Sequence, residues 1–113
     1  MIYSNYKIWL LIRRSAIKSF DEIRKQLQEH KQDLKDEYGV TAVGVFGSYV
    51  RGEQTEQSDV DILVDLEEPI GLIRLVQLSG SISQFLGTKV DLTTRKALKP
   101  HIGERILREV QYV

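Results

Sequence analysis

The chain has 113 residues, enough for one domain with its own core. Lys plus Arg equals Asp plus Glu at 16 each, so no global positive field points to a nucleic-acid partner, and 42% hydrophobic with 28% charged residues is the balance of an ordinary soluble protein. Cysteine is absent, which excludes disulfides, thiolate catalysis and zinc–sulfur sites and suits a cytoplasmic location.

Residues 1–16 read as an N-terminal extension and 17–113 as the folded domain. The apolar run Ile8-Trp9-Leu10-Leu11-Ile12 sits between Lys7 and Arg13-Arg14. It is far shorter than the roughly 20 apolar residues that span a bilayer. A signal peptide would place its basic residues first and end in small residues, whereas here the charges mostly follow. The expectation is no membrane partner, and an extension that either packs on the domain or is partly ordered.

A first helix is predicted over about Phe20–Tyr38. Ser19 is a good N-cap, Glu22 completes a capping box, and Gly39 is a stop. Phe20, Ile23, Leu27, Leu34 and Tyr38 share one face at helical spacing, and His30 reads as a boundary residue rather than a ligand. A strand follows over about Thr41–Phe46, β-branched and apolar. Gly47-Ser48 then turns into a short helix, roughly Tyr49–Gly52, that carries Arg51 ahead of Glu53. Such a bend aims backbone N–H groups at whatever lies above it, and that suits an anion.

Gln54–Ser58 is polar and reads as a surface loop. The second strand is predicted over Asp59–Asp65. Successive side chains of a strand point to opposite faces, so Val60, Ile62 and Val64 face a core while Asp59 and Asp61 face away together. Two adjacent carboxylates repel unless a cation lies between them, and an oxygen-only donor set suits a hard ion such as magnesium. Asp65 shares their phase but lies further along, outside the expected metal shell, and Glu67 and Glu68 read as solvated loop acids.

The next helix is predicted over about Ile70–Leu86, with an apolar stripe of Leu72, Ile73, Val76, Ile82, Phe85 and Leu86 and a stop at Gly87. A third strand, Lys89–Thr94, sets Asp91 between Val90 and Leu92. Pro100 opens a last helix to about Glu109, whose stripe of Ile102, Ile106 and Val110 must bury on the sheet or on a partner. The alternation of helices and strands predicts an α/β or α+β sheet covered by helices. Propensity alone favours parallel strands.

Gly-Ser, then Arg-Gly-Glu, then Ser-Asp-x-Asp followed by aliphatics resembles the minimal nucleotidyltransferase (MNT) family of the DNA polymerase β-type nucleotidyltransferase superfamily. The segments SYVRGE and SDVDILVD carry the match, which begins near Ser15–Ser19. Taken singly, Gly47-Ser48 is an ordinary helix start and Asp59 with Asp61 a solvated strand end. The resemblance makes them one nucleotide–metal site and implies the nucleotidyltransferase fold, with a small three-stranded mixed sheet in order 1-2-3. It implies that Asp59, Asp61 and Asp91 are catalytic and bind Mg2+. Gly47 and Ser48 then hold the phosphates of ATP, and Arg51 pairs with a phosphate or with Glu53. It further implies an antitoxin that transfers AMP from ATP to a tyrosine of a HEPN-type ribonuclease toxin, as a possible hetero-oligomer and without direct nucleic-acid binding. The rival readings are a non-catalytic antitoxin that neutralises by binding, and a transferase acting on a small molecule.

Overall fold

A computed structural model describes residues 18–113, so the expected extension over 1–16 lies outside the described residues. Helix α1 spans Phe20–Tyr38. The Ser19 side chain accepts from the Glu22 amide, as the capping sequence requires, and Gly39 ends the helix. Strand β1 spans Val40–Phe46, and the four-residue helix α2 spans Ser48–Arg51. Strand β2 spans Val60–Leu66, helix α3 Leu72–Leu86 and strand β3 Val90–Thr94. A 3-10 turn at Arg95–Ala97 leads to helix α4, Pro100–Glu109, and a two-residue strand β4, Gln111–Tyr112.

The sheet order is β3-β2-β1-β4. β1 pairs antiparallel with β2 and β4, and β2 pairs parallel with β3. The mixed sheet with its first three strands in sequence order is therefore present. The correction is a fourth strand, which sequence periodicity cannot reveal in two residues. Gly44 makes room for it. A Cβ built there would lie 2.5 Å from Val110 Cγ2 and 3.2 Å from Tyr112 Cδ1, so only a residue without a side chain lets the terminal segment lie across β1. The Val113 amide donates to the Val43 carbonyl and extends the pairing.

Helices α1 and α3 cover one face of the sheet. Ile23, Leu27, Leu34 and Tyr38 of α1 meet Val43 and Val45 of β1, Val60, Ile62 and Val64 of β2, and Leu78, Ile82 and Leu86 of α3 in one apolar core. No polar or charged side chain is buried among the described residues. The two helices are also stitched directly. Tyr38 OH lies 3.0 Å from Ser81 Oγ, and the His30 ring stacks on Phe85 with centroids 3.9 Å apart. His30 is thus a packing residue at the helix boundary.

The predicted stripe of α3 needs correction. Leu72, Ile73 and Val76 are 76%, 76% and 63% exposed, while Leu75 packs against the core and Leu78, Ile82 and Leu86 enter it. The N-terminal half of this helix is apolar on two sides. Periodicity cannot choose between them, and the sheet takes the other row. The helix also begins at Leu72, after Pro69, Ile70 and Gly71. Ile102 of α4 is likewise 61% exposed, whereas Ile106 and Val110 are half-buried.

Candidate active site

The predicted site residues gather where β1 ends and β2 and β3 begin. Phe46, the last residue of β1, is the register partner of Asp61, and Asp61 is the register partner of Asp91 on β3. Register partners point to the same face, so Asp91 stands beside Asp61 on the face opposite the core. Asp59 precedes β2, and the adjacent Val60 amide is held by the Lys89 carbonyl at 2.9 Å.

Gly47 follows β1 directly and has φ 76° and ψ −150°, a conformation that L residues avoid. A Cβ there would fall 2.0 Å from Asp61 Oδ2. The glycine is therefore required twice, once by its backbone and once by the carboxylate packed against it. Its carbonyl accepts the amides of Val50 and Arg51 at 3.1 and 3.2 Å, which closes the turn into α2. Ser48 opens that helix, and its carbonyl accepts the Glu53 amide at 2.9 Å.

The acids sense one another. The Asp61 carboxyl is pushed up to about 6. Burial is the largest cause, then the charges of Asp91 and Asp59; Arg51 works against them and Glu109 with them. A half-buried carboxylate hemmed in by two others suits a divalent cation, which would relieve the repulsion, and carboxylate oxygens are the donors that magnesium takes. As they stand, no three His, Asp or Glu side chains among the described residues are placed to hold a metal ion. Asp65 pairs instead with Arg95, 3.2 Å from Nε to Oδ2, in keeping with its place outside the site.

Sequence reading missed Glu109. Its Oε2 accepts the Gly47 amide at 3.0 Å and its Oε1 accepts Arg51 Nη1 at 2.5 Å. Arg51 Nε also donates to Glu53 at 3.0 Å, so the expected Glu53 pair exists but is only half of the arginine's engagement. Burial would raise the Glu109 carboxyl, but the hydrogen bonds from Arg51 and Gly47, and the charges of Arg51 and Arg105, outweigh it and hold it below the usual range. Glu109 is 62 residues from Gly47, so no local motif links them. One signal was available. A glutamate closing a helix opposes the helix dipole and asks for a reason.

The family described as "Nucleotidyltransferase domain" matches residues 27–113. The protein adenylyltransferase MntA of Thermococcus cleftensis is 47% identical over 98 residues, covering 87% of this chain and 99% of that protein. A solved structure described provisionally as a minimal nucleotidyltransferase is 34% identical, with a TM-score of 0.70 over 83% of this chain and 95% of its own. One chain of a solved complex of a tri-AMPylated Shewanella oneidensis HEPN toxin with an MNT antitoxin is 18% identical, with a TM-score of 0.61 over 80% of this chain and 70% of that one; this likeness is one of fold.

Proposed function

The chain belongs to the nucleotidyltransferase domain family, and we propose that it uses magnesium and ATP to place AMP on a tyrosine of a HEPN-type toxin, as the antitoxin of the pair. The observation that carries this reading is Asp61, wedged between Gly47 and its register partner Asp91. The name of the 47% identical relative, a protein adenylyltransferase, supports a protein acceptor. The complex with an AMPylated HEPN toxin supports the kind of partner.

In this reading Asp59, Asp61 and Asp91 hold the metal. When bound, magnesium neutralises charge developing on the phosphates and aligns the triphosphate. The residues of the chain do the rest. Gly47 and Ser48 present the bend to the β- and γ-phosphates, and Arg51 supplies a guanidinium beside it. Asp91 takes the proton of the acceptor hydroxyl. A tyrosine needs that help, because its pKa near 10 leaves it mostly protonated at neutral pH. The hydroxyl oxygen bonds to the α-phosphorus, the bond from that phosphorus to the bridging oxygen breaks, and pyrophosphate carries the electron pair away.

The test is incubation of the purified protein with α-labelled ATP, magnesium and the protein encoded by the neighbouring reading frame. Label should appear on the neighbour. The pair Asp59→Asn and Asp61→Asn should lower transfer by at least about a hundredfold while the protein still melts cooperatively. Transfer at the wild-type rate by that double variant would refute the site. A stable complex that never takes label would favour neutralisation by binding alone. The exposed Leu72, Ile73 and Val76 offer surface for such a contact.

A further inference from the structure

We infer that Glu109 is an internal anion that holds the phosphate bend in the absence of nucleotide and must leave when a triphosphate binds, so that nucleotide binding releases the C-terminal segment from the sheet edge. The inference rests on the nucleotide reading of the bend and adds a regulatory contact to it.

The geometry is that of one anion bridging two donors. Both carboxylate oxygens of Glu109 are engaged, one by a backbone amide and one by a guanidinium. A phosphate offers the same chemistry, with anionic oxygens that accept from amides and pair with arginine. Gly47 has a single N–H, and its carbonyl is already committed to the turn. A phosphate seated on the bend therefore competes for the donor that Glu109 holds. Arg51 already faces two carboxylates, Glu53 and Glu109, so a third anion beside it adds repulsion unless one withdraws.

Glu109 is also positioned to move. It is the last residue of α4, where the helix dipole disfavours a carboxylate, and its two partners compensate together with the charge of Arg105. One residue intervenes before β4, a strand of two residues. That strand is held by pairing of Gly44 with Tyr112 and Val45 with Gln111, by the Val113 amide on Val43, and by Arg95 donating to the Tyr112 hydroxyl. Tyr112 itself is 47% exposed. So short an edge depends on the contact next to it. Losing the Glu109 anchor should loosen residues 110–113, of which Val113 packs against the core beside Val43, while the pairing of β1, β2 and β3 stays in place.

The test uses the full chain, wild type and Glu109→Gln, titrated calorimetrically with ATP plus magnesium and separately with inorganic tripolyphosphate. Amide exchange at Val110–Val113 is followed with and without ATP. Glutamine keeps the shape of the side chain but not its charge. The expected result is affinity about 3- to 10-fold higher for the variant with both ligands, the worth of one displaced contact. In the wild type, ATP should speed exchange at Val113, and in the variant that exchange should be fast beforehand. Equal or weaker binding by the variant would overturn the inference and make Glu109 a fixed brace for Arg51. Unchanged exchange at Val113 on ATP binding to the wild type would overturn it without reference to any variant. Failure of both proteins to bind either ligand would remove the nucleotide reading and this inference with it, whereas tight ATP binding that is indifferent to Glu109 would remove this inference alone.

Discussion

The two faces of β2 contrast sharply, although one seven-residue strand builds both. On one face Val60, Ile62 and Val64 are fully buried against α1 and α3. On the other, Asp61 and Asp65 keep partial access to water on either side of Leu63. The first face has no polar group to satisfy, so it is governed by volume and apolar area. The second is governed by charge, because each carboxylate there has a neighbour that either repels or pairs with it. The difference teaches that stability and chemistry are separable in this fold at the resolution of a single residue step. Changes at the buried residues should register in unfolding, including Leu63, 1% exposed between the two acids, and changes at the acids in transfer and in pH dependence.

The strongest way to break the comparison is on the apolar face. Ile62→Ala removes a fully buried side chain from the centre of the sheet and leaves a cavity between α1 and α3. The expected loss is about 2–5 kcal/mol of unfolding free energy, measured by urea denaturation. A loss below about 1 kcal/mol would mean that the core relaxes around the gap and that the two faces are not distinct in the way described.

The apolar face and the acidic pair were legible in the sequence because a strand alternates with period two. Val60, Ile62 and Val64 could face only one way if Asp59 and Asp61 faced the other. Ser19 and Gly39 were legible because caps are local chemistry. Three things were not. The exposed row Leu72, Ile73 and Val76 is as apolar as the row that packs, and only the sheet decides between them. β4 is too short to carry a period, and its place depends on the missing side chain of Gly44, a contact across 68 residues. Glu109 reaches Gly47 and Arg51 across the whole domain. What was hidden is long-range in every case, and what was visible is local. Antiparallel pairing of β1 with β2 belongs with the hidden part: propensity alone favours parallel strands, and the mixed sheet came from family resemblance, since periodicity does not encode strand direction.

The next effect in size lies at the junction of the two faces. Gly47→Ala forces a side chain into a backbone region that only glycine occupies freely, at a cost of about 1–3 kcal/mol. Its methyl would also displace the Asp61 carboxylate, which sits 2.0 Å from that position. Thermal unfolding should show the modest loss, and adenylyl transfer should fall much further than stability does. Normal transfer with normal melting would show that the bend does not govern where Asp61 points.

The smallest expected effect sharpens the comparison most, because its sign is opposite to that of a core mutation. Asp61 has an ordinary pKa of 3.8 and one of about 6 in the fold, so the folded state disfavours its charged form. Below pH 4 the group is protonated whether folded or unfolded, and it imposes no penalty. Between pH 4 and 6 the unfolded chain gives up the proton while the folded one keeps it, so stability falls as pH rises. Above 6 the penalty is complete. Asp61→Asn cannot ionise and escapes it. In metal-free buffer the variant should match the wild type near pH 3.5 and gain on it through pH 6. Above that it should remain more stable by about 1 kcal/mol, a figure reduced for the solvent that screens a half-exposed carboxylate. Magnesium should reverse the order at pH 7.5, because an ion bound by the native acids stabilises the wild type and has lost a ligand in the variant. Melting curves at four pH values, with chelator and with magnesium, measure both effects. A stability difference that ignores pH would show that the Asp61 carboxylate is neither desolvated by burial nor crowded by Asp91 and Asp59. The acidic face would then be a solvated surface with no more claim to chemistry than any other strand edge.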